Sequence, residues 1–125
     1  MNINGRQYPR LAVNFPLEIR TEDEMVYHAT VCNLSLGGIE FSCDNVTAGE
    51  VLPPGHQAFP GQPIAVRVRF SLAEPGAAAE VLDVHGEIVV SRRLSQNEYR
   101  VGLRFSGFEA NGLEILERYF RDRMP

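Results

Sequence analysis

The chain has 125 residues, of which 44% are hydrophobic and 22% charged, a composition that fits one globular domain able to bury a core without staples. Its formal net charge of −4 argues against broad binding to DNA or RNA, which calls for a basic face. The opening Met1-Asn2-Ile3-Asn4-Gly5 lacks the apolar stretch of a signal peptide, and no run reaches the ~18 apolar residues of a spanning helix, so a cytoplasmic location without membrane insertion is expected.

Residues 1–10 read as a flexible leader and 11–125 as a single domain. Val13, Phe15, Leu17 and Ile19 share one face of a first strand, with Asn14, Glu18 and Arg20 on the other. Thr21-Glu22-Asp23-Glu24 reads as a polar hairpin turn. A second strand runs from Met25 to Cys32, and Ile39, Phe41 and Cys43 alternate along a third. Residues 45–62, rich in proline and glycine, are expected to form a long loop, either a binding loop or lid or an insertion without a role. Ile64, Val66, Val68, Phe70 and Leu72 mark the clearest strand, and Ala73 to Glu80 a flexible connection. Val84, Ile88 and Val90 continue the alternation, with Gly86 expected at a bulge or close approach. Tyr99, Val101, Leu103 and Phe105 complete it, set against Arg100, Gly102 and Arg104. The period then changes: Leu113, Leu116, Tyr119 and Phe120, with Ile115 beside them, predict an amphipathic helix over 110–123.

Six or so antiparallel strands with one apolar face each need a partner sheet or closure on themselves, and at this length a small closed barrel is the economical answer. Cys32 and Cys43 fall on neighbouring strands and are expected as buried free thiols, Cys32 as a small core residue rather than a nucleophile. His28, His56 and His85 have no carboxylate or cysteine at metal-ligand spacing, so solvent or loop roles are expected and no metal is implied. No nucleophile–base pair or phosphate-cradling loop stands out, so the chain is not read as an enzyme.

Two motifs remain. Arg6-Gln7-Tyr8-Pro9-Arg10 carries R-x-x-x-R in the leader, and Asn33-Leu34-Ser35-Leu36-Gly37-Gly38 carries N-x-S-x-x-G. Alone, the first describes a solvated face and the second a turn. In order, they point to a split site for a guanine nucleotide. A guanidinium forks onto phosphate or onto the O6/N7 edge of guanine, an Asn reaches the donor-rich edge of that base, and glycine lets backbone come close. Arg6 and Arg10 stand roughly 13 Å apart at full extension, enough to straddle one ligand, and Pro9 holds Tyr8 extended. Arg100 and Arg104 point away from the core by alternation, with Arg104 a possible addition to the anion field.

At these two motifs the chain resembles the PilZ domain family of bacterial cyclic di-GMP receptors, and Tyr99 to Phe105 resembles that family's last barrel strand. The resemblance implies a six-stranded antiparallel PilZ-type β-barrel with a C-terminal α-helix, and second-messenger signalling by cyclic di-GMP as ligand, without a cofactor. It implies ligand contacts from Arg6, Arg10, Asn33, Ser35 and Gly38. Arg6 and Arg10 would bind phosphate and a guanine Hoogsteen edge, Ser35 would donate to a phosphate or guanine oxygen, Gly38 would permit close approach, and Asn33 would accept from guanine N1–H or N2–H. Ligand binding would order the leader and signal to an unidentified downstream protein. The alternative is a PilZ-like adaptor in pilus or motility machinery that does not bind the ligand. The family often has Asp where this chain has Asn33, and an arginine where it has Gly5. Asn33→Asp is therefore expected to hold or improve affinity, and the number of ligands per site stays open.

Overall fold

The computed structural model describes residues 8–52 and 61–123. In chain order these form β1 (Leu11–Arg20), β2 (Val26–Leu34), β3 (Gly38–Cys43), α1 (Asn45–Val51), β4 (Ile64–Leu72), β5 (Glu80–Ser95), β6 (Glu98–Phe108) and α2 (Gly112–Arg123). The strands close into a barrel in the order β1-β2-β3-β6-β5-β4, each neighbouring pair antiparallel. The expected all-β barrel with a C-terminal helix is thus the architecture. Closure pairs every edge, and the apolar faces read from the alternation meet inside, with Leu17, Ile19, Val31, Phe41, Val68 and Ile88 almost wholly buried. The turn at Thr21–Glu24 forms as expected: Thr21 N donates to Met25 O and Glu24 N to Thr21 O, each at 3.0 Å.

Strict alternation breaks at bulges, and these breaks aim side chains. On β2 both Val31 and Leu34 are buried, three positions apart, which a regular strand cannot achieve. The β2–β3 register shifts between Val31, opposite Phe41, and Asn33, opposite Glu40. Cys32 is the extra residue, so the strand continues past its expected end at Cys32 and Asn33 takes an outward position. Cys32 is therefore half-buried in the bulge, not in the core, with its Sγ 3.6 Å from Thr30 O. On β5 a second shift falls between Ile88 and Val90, turning Val90 out to face Gly102, where it is 49% exposed rather than continuing the inner face. Gly86 meets its expectation: a Cβ there would lie 2.5 Å from Leu103 Cδ2, and the register shifts beside it.

The expected loop over 45–62 begins instead with a helix, α1. Asp44 caps it, its side chain accepting from Thr47 N at 2.8 Å, and Ala48 and Val51 bury one face in the core. The prolines that gave the segment its loop character all follow Leu52, so they end this helix and do not interrupt it. Asn45 N donates to Asn97 Oδ1 at 3.1 Å, tying α1 to the β5–β6 turn. At the other end of β5, α2 packs near the β4–β5 connection, where Arg118 pairs with Glu80 and Arg123 with Glu74. The helix starts at Gly112 rather than 110, and its buried face is Gly112, Ile115, Leu116 and Phe120. Leu113, expected on that face, is 43% exposed. Gly112 sits against Phe108, where a Cβ would come within 3.3 Å of the ring.

Both cysteines are free. Cys43 is buried, and burial, followed by the charge of Asp44, pushes its thiol up to about 11.

Candidate functional site

The second motif builds the β2–β3 turn. Ser35 is buried, and its backbone N donates to Gly38 O at 2.9 Å. Its Oγ accepts from Gly37 N and Gly38 N, both at 3.1 Å, and donates to Gly38 O at 3.3 Å. The hydroxyl thus satisfies two amides that the tight turn would otherwise leave without partners. The close approach that demands glycine at 38 is by β6: a Cβ there would stand 2.1 Å from Leu103 O, while Phe105 N donates to Gly37 O at 2.9 Å.

Gly37 serves the leader. A Cβ at this position would lie 2.8 Å from Tyr8 Cδ2 and 2.9 Å from Cε2, so the tyrosine ring rests on the turn. Two residues on, Arg10 is exposed and directly precedes Leu11, which pairs with Leu34. The fold therefore brings Tyr8, Arg10, Asn33 and the Ser35–Gly38 turn to one region of the barrel surface. Arg6, with the rest of residues 1–7, lies outside the described residues, as does His56.

Asn33 lies on the outer face in a row that crosses four strands: Ala12, Asn33, Glu40 and Gly102 are successive cross-strand partners. Asn33 Nδ2 donates to Glu40 Oε1 at 2.8 Å. Arg100 Nη1 approaches the same oxygen at 3.5 Å, and Arg100 Nη2 lies 3.6 Å from Glu98 Oε2, which accepts from Ser42 Oγ at 3.0 Å. Arg100 Nε is buried with no hydrogen-bond partner among the described residues. Arg100 is accordingly a half-buried member of a polar chain rather than a free surface charge. Arg104, considered for the anion field, pairs with Glu87 at 2.6 Å, and His85 with Glu109 at 2.6 Å.

Cavities of about 380 Å3 and about 290 Å3 lie elsewhere, the first beneath α2 near Leu72 and Ile115, the second beside Arg20, Arg67 and His85. No motif residue lines either one, and the gathered residues form a ledge on the outer face. Among the described residues, no group of His, Cys, Asp and Glu is arranged to hold a metal ion, and no helix is long and apolar enough to cross a membrane.

Two residues of the ledge, Tyr8 and Glu40, lie outside the sequence expectations. Tyr8 was visible only as part of the arginine run, and its target, Gly37, only as a motif spacer. The signal for Glu40 is the alternation: Ile39 and Phe41 flank it on the inner phase, which places Glu40 outside, next to any residue that a bulge turns outward on β2.

A closed six-stranded barrel whose N-terminal approach crosses the β2–β3 turn defines the structural class. The chain belongs to the PilZ domain family, which it matches over residues 4–122. No curated protein matches the sequence. Among solved structures, the fold is similar to the Bacillus subtilis inhibitor of motility MotI/DgrA, with a TM-score of 0.68 and 18% identity over 98% of this chain and 52% of that one. It is similar to the PilZ domain of Escherichia coli YcgR with c-di-GMP, with a TM-score of 0.63 and 15% identity over 94% of this chain and 90% of that one. It is also similar to the K. pneumonia MrkH–c-di-GMP complex, with a TM-score of 0.62 and 17% identity over 94% of this chain and 51% of that one. The chain spans about half the length of MotI/DgrA and MrkH.

Proposed function

We propose that this chain is a receptor for cyclic di-GMP, with the dinucleotide seated on the outer ledge between the arginine leader and the β2–β3 turn. The observation that carries the reading is the Tyr8 ring on Gly37, because it directs the leader across the segment that holds Asn33, Ser35 and Gly38. Family membership and the shared fold with the PilZ domain of YcgR, solved with c-di-GMP, support it. Arg10, and Arg6 ahead of it, supply guanidinium groups for the phosphates and for a guanine Hoogsteen edge, where charge-assisted, forked hydrogen bonds are strong. Asn33 reads the opposite edge of a guanine. Ser35 and Gly38 hold the turn in the shape that receives the ligand.

On this outer face the leader provides the cover for the dinucleotide. Ligand binding orders the leader over the base and phosphate, exchanging chain entropy for charge-assisted bonds, and the new surface is read by a downstream protein. A calorimetric titration of cyclic di-GMP into micromolar protein tests the reading. Binding is expected, and Arg10→Ala should weaken it at least about tenfold, one strong charge-assisted contact. Absence of heat with the intact chain would refute the receptor reading and favour the adaptor.

A further inference from the structure

Glu40 belongs to neither motif, yet it is the immediate neighbour of Asn33 on the ledge. Both side-chain donors that reach Glu40, Asn33 Nδ2 at 2.8 Å and Arg100 Nη1 at 3.5 Å, converge on Oε1. Glu40 Oε2 accepts no hydrogen bond among the described residues. Asn33 has committed its amide nitrogen to Glu40, so its Oδ1 points away from that bond. Two acceptors on paired outer-face residues are thus left without a donor among the described residues. On the flanking positions of the row, Ala12 carries only a methyl group, while Gly102 carries no side chain and is covered by Val90, whose Cγ1 lies 2.7 Å from where a Cβ would stand.

Guanine offers the complementary pattern, with N1–H and N2–H on adjacent atoms of one edge. We propose that Glu40 is a further specificity-determining residue, its Oε2 accepting the N2–H and Asn33 Oδ1 the N1–H of a guanine. The inference rests on the receptor reading above. It also accounts for the asparagine. An Asp at 33 would present both acceptors by itself, but here it would face the Glu40 carboxylate at hydrogen-bond distance with no proton between them. Glu40 supplies the carboxylate, and Asn33 supplies the amide that holds it. The expectation that Asn33→Asp preserves affinity is therefore reversed: alone, that change sets two carboxylates against each other.

The test is a calorimetric comparison of cyclic di-GMP with its inosine counterpart, which lacks the 2-amino group, on the intact chain and on E40Q, N33D and the N33D/E40Q double variant. In E40Q the amide oxygen can keep the bonds from Asn33 and Arg100, so the fold is retained while an NH2 group faces the guanine donors. Wild type should prefer the guanine ligand by about tenfold, the value of one hydrogen bond to a charged acceptor. E40Q should lose about tenfold in affinity and most of that preference. N33D should also bind more weakly, and the double variant, which moves the carboxylate to position 33, should recover affinity. Equal binding of the two ligands by wild type, unchanged affinity in E40Q, or weakened E40Q with the guanine preference intact would each overturn the proposal while leaving the receptor reading standing. A wild-type chain that binds neither ligand would overturn both.

Discussion

Gly38→Ala is predicted to damage the fold, while Gly37→Ala leaves it sound. At position 38 the added methyl would lie 2.1 Å from Leu103 O, 3.2 Å from Leu103 C and 3.3 Å from Arg104 Cα. All three atoms are backbone, so no rotamer change relieves the contact, and β3 must move off β6 by about 1 Å or more to reach ordinary van der Waals separation. That movement strains the adjacent bond from Phe105 N to Gly37 O, worth about 1 kcal/mol, on top of an overpacking cost of about 1–3 kcal/mol. A total loss of roughly 2–4 kcal/mol follows. With a urea m-value of about 2 kcal/mol/M, the unfolding midpoint should fall by roughly 1–2 M. At position 37 the obstacle is the Tyr8 ring, which can swing aside. Gly37→Ala should keep its stability within about 0.5 kcal/mol of wild type while displacing the leader. If Gly38→Ala unfolds at the wild-type midpoint, the assignment of this glycine to strand packing is wrong.

Ser35→Ala removes the acceptor for two amides of a buried turn and should cost roughly 2 kcal/mol, seen as a fall of about 5–10 °C in Tm; a change under about 2 °C would show that water replaces the hydroxyl without loss. Thiol labelling at pH 8 should modify Cys32 in the folded protein and reach Cys43 only in denaturant, because burial holds the Cys43 thiol up at about 11; rapid labelling of both would contradict its placement. The same shift makes Cys43 a source of alkaline sensitivity. Its folded-state value lies above the ordinary 9.0, so its contribution is intact below that pH and fades as pH rises toward 11, a fading that Cys43→Ala should remove.

The barrel was legible because its inner faces keep a period of two over long runs. Ile64 to Leu72 forms a strand with the limits the alternation predicts, and Tyr99, Val101 and Leu103 are buried as expected. What the alternation missed follows from single insertions. One extra residue, Cys32, reverses the phase of Asn33, and another beside Val90 turns that side chain outward, because register in a sheet depends on the partner strand and not on local sequence. The short helix α1 was hidden by the prolines that follow it, whereas the periodicity identified Ile115, Leu116 and Phe120 on the buried face of α2 and departed only at Leu113, in the first turn of the helix. At the ledge, residue types alone pointed to Arg10, Asn33, Ser35 and Gly38. The partnerships of Ser35 with its own turn, Gly38 with Leu103, and Asn33 with Glu40 are three-dimensional and had no signature in spacing.

The most direct test of the central claim is an amide chemical-shift map of the intact, isotope-labelled chain during titration with cyclic di-GMP. A dinucleotide on the ledge predicts large shifts at Tyr8, Arg10, Asn33, Gly37, Gly38 and Glu40, with α2 and the Arg20–Arg67 face unmoved. Shifts confined to α2 or to that second face, or none at saturating ligand, would contradict it.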